Sequence, residues 1–123
     1  MNDLNIRLID GNLVIIVDDK PMIIVDTIYF IGKAGSNVTT YFKALEENMT
    51  DYGDRIQKIN IGEIPEPSEK IMIIYVDTNF KLRFDRMIEH ATPDEIDLIV
   101  DIEEKKFEDF EERLEKYNHL IIE

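Results

Sequence analysis

The sequence predicts an α/β (or α+β) fold in which an N-terminal antiparallel β-meander, a covering helix and a C-terminal βαβαβ-like half form one mixed sheet. Isoleucine-rich runs separated by turn residues indicate the strands, because β-branched side chains suit a pleated surface. Apolar residues at helical spacing indicate the helices between them. The length of 123 residues fits one domain with one core, so we expect a single domain over residues 1–123.

The first third of the chain predicts the meander. Asp10-Gly11 lies between two apolar segments and can adopt the positive φ angles of a tight hairpin turn, which gives strands at about 4–9 and 12–18. A second turn leads into a third strand from Met22 to about Ile31. Runs such as LVIIV and MIIV indicate strands that are buried on both faces, so another layer must cover the sheet.

A helix in the region of residues 38–49 can supply that layer. Ser36 or Asn37 can cap its start, and Gly53 can end it. The apolar residues that recur at helical spacing are Val38, Tyr41, Phe42, Leu45 and Met49.

Two further strands are predicted in the middle of the chain, at 55–61 and 71–77. Between them, at about 62–70, the segment EIPEPSEK predicts an exposed connector, because its prolines disfavour regular structure.

The last forty residues fit two interpretations. In the first, Phe80 to Ala91 is a helix, Ile96–Ile102 is a strand, 103–118 is a helix and HLIIE is a terminal strand. In the second, Phe80 opens a hairpin strand, and Thr92-Pro93-Asp94-Glu95 is a capping box that begins one helix from 93 to 117. The β-branched residues and two aspartates of IDLIVDI favour the first interpretation.

Charge and composition narrow the possible functions. The formal net charge is −13, which repels the phosphate backbone, so we expect no direct binding to nucleic acid. The chain has no cysteine, which excludes disulfides and thiolate chemistry. Its beginning resembles no secretory signal, and no apolar run approaches a membrane span, so we expect a cytoplasmic protein that does not bind membranes.

Two aliphatic runs end in Asp-Thr, and one of them raises the possibility of metal chemistry. The stretch IMIIYVDTNF, residues 71–80, resembles the opening of a PIN-domain ribonuclease, in which an apolar strand ends in Asp-Thr-Asn. The resemblance implies that Asp77 binds magnesium and that Thr78 and Asn79 shape the turn. It covers these ten residues alone. The further acidic ligands of that family lie far along the chain, whereas 46 residues follow Asp77 here.

The near repeat of this motif at 22–30 suggests a second possibility, a pair formed by Asp26 and Asp77. Such a pair resembles the aspartic-protease arrangement, but that family has glycine after Asp-Thr, and this chain has Ile28 and Asn79 there. The simpler interpretation is that both aspartates end strands.

Strand-end carboxylates also suggest a metal site without any family likeness. If 96–102 is a strand, then Asp77, Asp101 and Glu103 lie at the carboxyl edge of a parallel sheet, where ligands gather in α/β folds. Three such oxygen donors fit magnesium or calcium. The loop 32–37 lies at a strand-to-helix junction and suggests an anion cradle in which Lys33 is the counter-charge.

Acidic residues are concentrated near the end of the chain. Residues 94–123 contain 12 acidic and 4 basic side chains. The glutamates that we expect to contact a partner are Glu104, Glu108, Glu111, Glu112 and Glu115. The apolar residues that repeat opposite them, as a core seam or a self-association surface, are Phe107, Phe110, Leu114 and Tyr117.

These features predict a small acidic interaction protein without enzymatic activity or a cofactor. We expect it to inhibit or antagonise a basic protein by occupying a surface that binds nucleic acid. Phage or archaeal-virus anti-defence proteins and toxin-immunity proteins have this profile of size and acidity. The alternatives are a metal-dependent hydrolase or nuclease that uses Asp77, Asp101 and Glu103, and a structural subunit that forms homodimers or larger assemblies through the apolar seam.

Overall fold

The computed structural model describes residues 4–48 and 55–123. The chain begins with an antiparallel sheet of three strands, β1 (Leu4–Ile9), β2 (Asn12–Val17) and β3 (Lys20–Val25), in the order β1-β2-β3. Asp10 and Gly11 have φ angles of 52° and 80°, and Asp18 and Asp19 have φ angles of 52° and 64°. Both hairpins therefore use turns with two positive φ angles, which match the twist of the flanking strands.

Four parallel strands form the second sheet. These strands are β4 (Thr27–Gly32), β5 (Ile56–Lys58), β6 (Ile71–Val76) and β7 (Asn118–Ile122), and their order is β5-β4-β6-β7. The chain leaves β4 for one edge strand, β5, and then returns to the other side of β4 to form β6. The strand order thus reverses beside β4, as it does in doubly wound α/β sheets.

The helices connect the parallel strands. α1 (Val38–Asn48) lies between β4 and β5, and a 3₁₀ turn (Ile61–Glu63) follows β5. α2 (Phe80–Met87), α3 (Pro93–Lys106) and α4 (Phe110–Leu114) lie between β6 and β7. The predicted contact of Met49 and the predicted helix end at Gly53 lie outside the described residues.

Alternate residues of the parallel strands enter two different cores. Ile28 and Phe30 of β4 pack with the meander residues Ile6 and Ile15 and with Val38 of α1. The neighbouring positions of β4 and β6 point to the opposite face and pack with Phe110 and Leu114 of α4; they are Ile31, Ile73 and Tyr75. Both faces of the parallel sheet are therefore covered, which explains the uninterrupted apolar run of β6, whereas the runs LVIIV and MIIV lie in the meander, where Ile24 is exposed.

The α/β class is confirmed, with two differences in the strands. The strands form two sheets rather than one mixed sheet, because the predicted strand from Met22 to Ile31 divides at Asp26, where the chain passes from β3 into β4. The predicted strand at 96–102 is helix, within α3.

Local capping explains why 96–102 is helical. The Thr92 side chain accepts a hydrogen bond from the backbone N–H of Glu95, the Glu95 carboxylate accepts one from the backbone N–H of Thr92, and Pro93 occupies the first turn. This capping box outweighs the strand preference of IDLIVDI. The last forty residues thus combine both interpretations: α2 and β7 come from the first, and the helix start at 93 comes from the second.

Candidate functional site

The two Asp-Thr motifs lie at opposite ends of the parallel sheet. Asp26 precedes β4, Asp77 follows β6, and the two strands run in parallel with Thr27 beside Ile71 and Gly32 beside Val76. Six residues of strand separate the two carboxylates along the sheet, which is on the order of 20 Å. They do not form a catalytic pair. Asp26 instead lies 3.9 Å from Arg55, whose Nε also donates to the carbonyl of Asp26.

The strand-end carboxylates do not form a metal site either. Asp77 and Asp101 are exposed, and Glu103 is engaged elsewhere: it accepts hydrogen bonds from Arg83 at 3.0 Å and from the backbone N–H of Ala34 at 2.7 Å. Within residues 4–48 and 55–123, no three acidic or histidine side chains come together as a metal-binding group. Glu103 instead fixes the loop after β4, together with Arg83.

Backbone N–H groups of the loop 32–37 already donate to acceptors within the protein. The N–H of Ser36 donates to the carbonyl of Lys33, and the N–H of Asn37 donates to the buried hydroxyl of Thr78 at 2.8 Å. With Ala34 bound to Glu103, these N–H groups have protein acceptors. The loop is therefore a strand-to-helix turn held by α2 and α3, and these amides are not available to cradle an anion.

The apolar seam packs inside the fold. Phe110 and Leu114 are each 1% exposed, and Phe107 and Tyr117 pack against the same core. The Tyr75 ring packs against both Phe107 and Phe110, with centroid distances of 5.9 and 4.9 Å, and these two rings are 5.0 Å apart. Burial, and after it the nearby Asp77 carboxylate, raise the pKa of the Tyr75 phenol to about 12. Phe110 and Leu114 hold α4 against the sheet, so their side chains do not form a surface.

The predicted acidic residues all lie on the surface. Glu104, near the end of α3, and Glu108, after it, border a shallow hollow of about 350 Å³. Glu108 also borders a second, smaller hollow of about 140 Å³ with Glu111 and Glu112 of α4. Glu108 therefore connects the acidic residues of the two helices across the break at 107–109. Glu115 follows Glu111 by four positions and is also exposed. We call these five glutamates, with Asp101, the acidic surface.

Lysines and arginines leave most of the acidic surface uncompensated. The ion pairs among the described residues are Arg55–Asp26 and Arg83–Glu103, and neither includes a glutamate of the acidic surface. Lys105 borders the same hollow as Glu104, and Lys33 borders the hollow of Glu108, Glu111 and Glu112, but neither lysine forms an ion pair within the described residues. Lys106 and Arg113 line a different groove, beside the end of β4. The acidic and basic residues that alternate along 104–115 thus line partly different hollows of the surface.

An exposed apolar pair adjoins the acidic surface and was not predicted. Leu98 and Ile102 of α3 are 62% and 46% exposed and lie four residues apart, so they are neighbours on one helix face. Asp101 lies between them in sequence and is exposed. The prediction of a strand at 96–102 obscured this pair, and the capping box at 92–95 was the signal that would have revealed it.

The chain was also compared with known proteins. No protein-family model, no characterised protein sequence and no solved structure matches it. In the described part of the chain, no helix has the length and apolarity needed to cross a bilayer.

Proposed function

We propose that the protein is a non-enzymatic inhibitor or antagonist that binds a basic partner through the acidic surface of α3 and α4 and occupies the partner's nucleic-acid-binding site. The observation that carries this proposal is the connected row of exposed glutamates that form no ion pair, joined at Glu108. The proposed role is of the kind that phage anti-defence proteins and toxin-immunity proteins have.

Two kinds of side chain on this surface, carboxylates and apolar groups, contribute to the binding free energy of such a complex in different ways. Exposed carboxylates raise the association rate with a basic protein and set its orientation, and salt weakens both effects. Binding also needs desolvated apolar contacts at the centre of the interface. Leu98 and Ile102 supply such contacts next to Asp101. A protein surface that binds nucleic acid is basic, so it complements this combination.

The proposal is tested by capture of the partner from extracts of cells that naturally contain the chain. Four charge reversals on the acidic surface form the first variant: Glu104→Lys, Glu108→Lys, Glu111→Lys and Glu115→Lys. A control variant carries the same change in net charge on exposed residues elsewhere: Glu66→Lys, Glu69→Lys, Asp85→Lys and Glu89→Lys. We expect the first variant to lose the partner that the wild type and the control retain.

A second measurement identifies what the chain does to the captured partner. A labelled oligonucleotide bound to that partner is displaced by the wild-type chain and not by the charge-reversed variant, if the chain occupies the nucleic-acid site. A third variant, Leu98→Ser with Ile102→Ser, keeps the charge and should weaken binding. Equal capture by both charge variants would contradict the proposal, and so would a partner whose hold on the oligonucleotide is unchanged by the chain.

A further inference from the structure

A groove lies at the carboxyl ends of β4 and β5, and none of the six residues of the acidic surface lines it. It consists of two adjoining cavities, of about 620 and 310 Å³, which share Gly32, Asn60 and Glu103 in their walls. We call it the basic groove. The carboxyl ends of parallel strands, next to the point where the strand order reverses, are where α/β sheets bind ligands. The larger volume lies in the range of small-molecule sites.

The charges that line the basic groove oppose the charge of the whole protein. Its described walls include four cations: Lys33 and Lys58 from the ends of β4 and β5, and Lys106 and Arg113 from α3 and α4. The carboxylates there are Glu63 and Glu103. Two cations thus line each of the adjoining cavities, in a chain whose net charge is −13.

Of the two carboxylates in the groove, Glu103 is neutralised by an ion pair, whereas Glu63 is bound by a neutral N–H group and keeps its charge. Glu103 pairs with Arg83, and Glu63 accepts a hydrogen bond from the backbone N–H of Asn60 at 3.0 Å. Lys33 lies 5.3 Å from the centroid of the Phe107 ring and also borders the hollow of Glu108, Glu111 and Glu112. Lys58 contacts a neutral group, since it donates to the hydroxyl of Thr39 at 3.3 Å, and this contact does not neutralise it. Lys106 and Arg113 form no ion pair within the described residues, so the charges of Lys58, Lys106 and Arg113 remain available to an anion.

Part of the groove is apolar and open. Ile61 and Phe107 line the larger cavity together with Lys106 and Arg113. At Gly62, no atom lies within 4 Å of the position that a Cβ would occupy, so the wall leaves free space there. Apolar side chains beside convergent cations are typical of sites that bind organic anions.

We propose that the basic groove binds a small organic phosphate of nucleotide size. Its phosphate would lie near Lys106 and Arg113 in the larger cavity, on the side where Lys58 lines the adjoining cavity, and its organic part would lie against Ile61 and Phe107. The groove shares Lys33 with the hollow that Glu108, Glu111 and Glu112 border, but the proposal does not depend on the partner-binding proposal. A long nucleic acid is a poor ligand for it, because the net charge of −13 repels a polyanion.

The test uses adenosine monophosphate as the probe, with adenosine and inorganic pyrophosphate as comparison ligands. Binding is followed by the amide NMR signals of Gly32 and Gly62, which line the groove. We expect adenosine monophosphate to shift these signals at submillimolar concentration. Pyrophosphate should bind more weakly because it has no organic part, and adenosine should produce no shift because it has no charge.

Substitutions of the groove lysines then test whether these cations bind the ligand. Lys106→Gln removes a charge that forms no ion pair in the described structure, and Lys58→Gln added to it removes a second. The control, Lys70→Gln with Lys81→Gln, removes two exposed lysines outside the groove. We expect the double groove variant to bind at least about tenfold more weakly and the control to bind like the wild type. Equal affinities, shifts at residues elsewhere, or no binding below millimolar concentration would overturn the proposal.

Discussion

Arg83 and Glu103 form an ion pair of 3.0 Å between α2 and α3, and both side chains are largely buried. The same two residues hold the loop after β4: Arg83 donates to the carbonyl of Ala34, and Glu103 accepts from the N–H of Ala34. The two backbone polar groups of Ala34, its N–H and its carbonyl, are thus both bound by this ion pair. This arrangement connects the end of β4 to two helices that are distant in sequence.

Glu103→Gln is expected to lower the free energy of unfolding by about 2 kcal/mol, because the variant leaves the Arg83 guanidinium without a charged partner in a mostly buried site. Urea denaturation measures the change. The matched control is Glu104→Gln, one residue further along α3 and exposed, which should change the stability by less than about 0.5 kcal/mol. Equal effects of the two substitutions would show that the pair is not a structural clamp.

Leu114→Ala is expected to destabilise the protein by about 2–5 kcal/mol, since the side chain is 1% exposed and its removal leaves a cavity beneath α4. Leu98→Ala provides the same chemical change on a residue that is 62% exposed, and it should cost less than about 1 kcal/mol. Thermal or urea unfolding distinguishes the two. If Leu114→Ala left the stability intact and changed only the apparent mass in light scattering, the seam would be an association surface after all.

Thr92→Ala is expected to cost about 1 kcal/mol, because the side chain accepts a hydrogen bond from Glu95 at the start of α3. Thr92→Ser keeps the hydroxyl, so this variant should retain most of the stability that Thr92→Ala loses. Circular dichroism and urea denaturation of the two variants provide the measurement. Loss of stability in both variants alike would indicate that the methyl group, rather than the cap, is what matters.

The raised pKa of Tyr75 predicts that the folded protein loses stability at high pH. Its folded-state pKa of about 12 lies above the ordinary phenol value of 10.0, chiefly because of burial and then because of Asp77. The folded state therefore keeps the proton when the unfolded state releases it. The contribution is complete below pH 10 and is lost as the pH rises towards 12. Tyrosinate absorbance during a pH titration should show a late-titrating phenol that is missing in Tyr75→Phe, and an unchanged titration in that variant would refute the assignment.

Local sequence signals predicted much of the fold. Asp10-Gly11 was sufficient to place the first hairpin, because few residue pairs tolerate two positive φ angles. The stripe from Val38 to Leu45 predicted α1. The signals conflicted at 96–102, where β-branched composition indicated a strand and the Thr92–Glu95 capping box indicated a helix. The cap prevailed because its hydrogen bonds form within one turn, whereas a strand needs a neighbour in the sheet.

Several contacts of the candidate sites had no local signal. The pairing of Arg83 with Glu103 spans 20 positions, and the bond from Glu103 to Ala34 spans 69. Glu103 was therefore predicted as a metal ligand and is instead part of a structural clamp. The basic groove was not predicted either, since its two adjoining cavities take Lys58 from the end of β5 and Lys106 and Arg113 from α3 and α4, which are distant in sequence.

The sequence by itself determined the turns, the alternation of strands and helices, the excess of negative charge and the exposed positions of the five glutamates, because these depend on residues close together in the chain. Only the tertiary structure decided that Asp26 and Asp77 lie at opposite ends of a sheet, that Phe110 and Leu114 are buried, and that four cations meet in one groove. The physical reason is that strand order and helix packing bring together side chains from distant parts of the chain, and no local pattern encodes those distances.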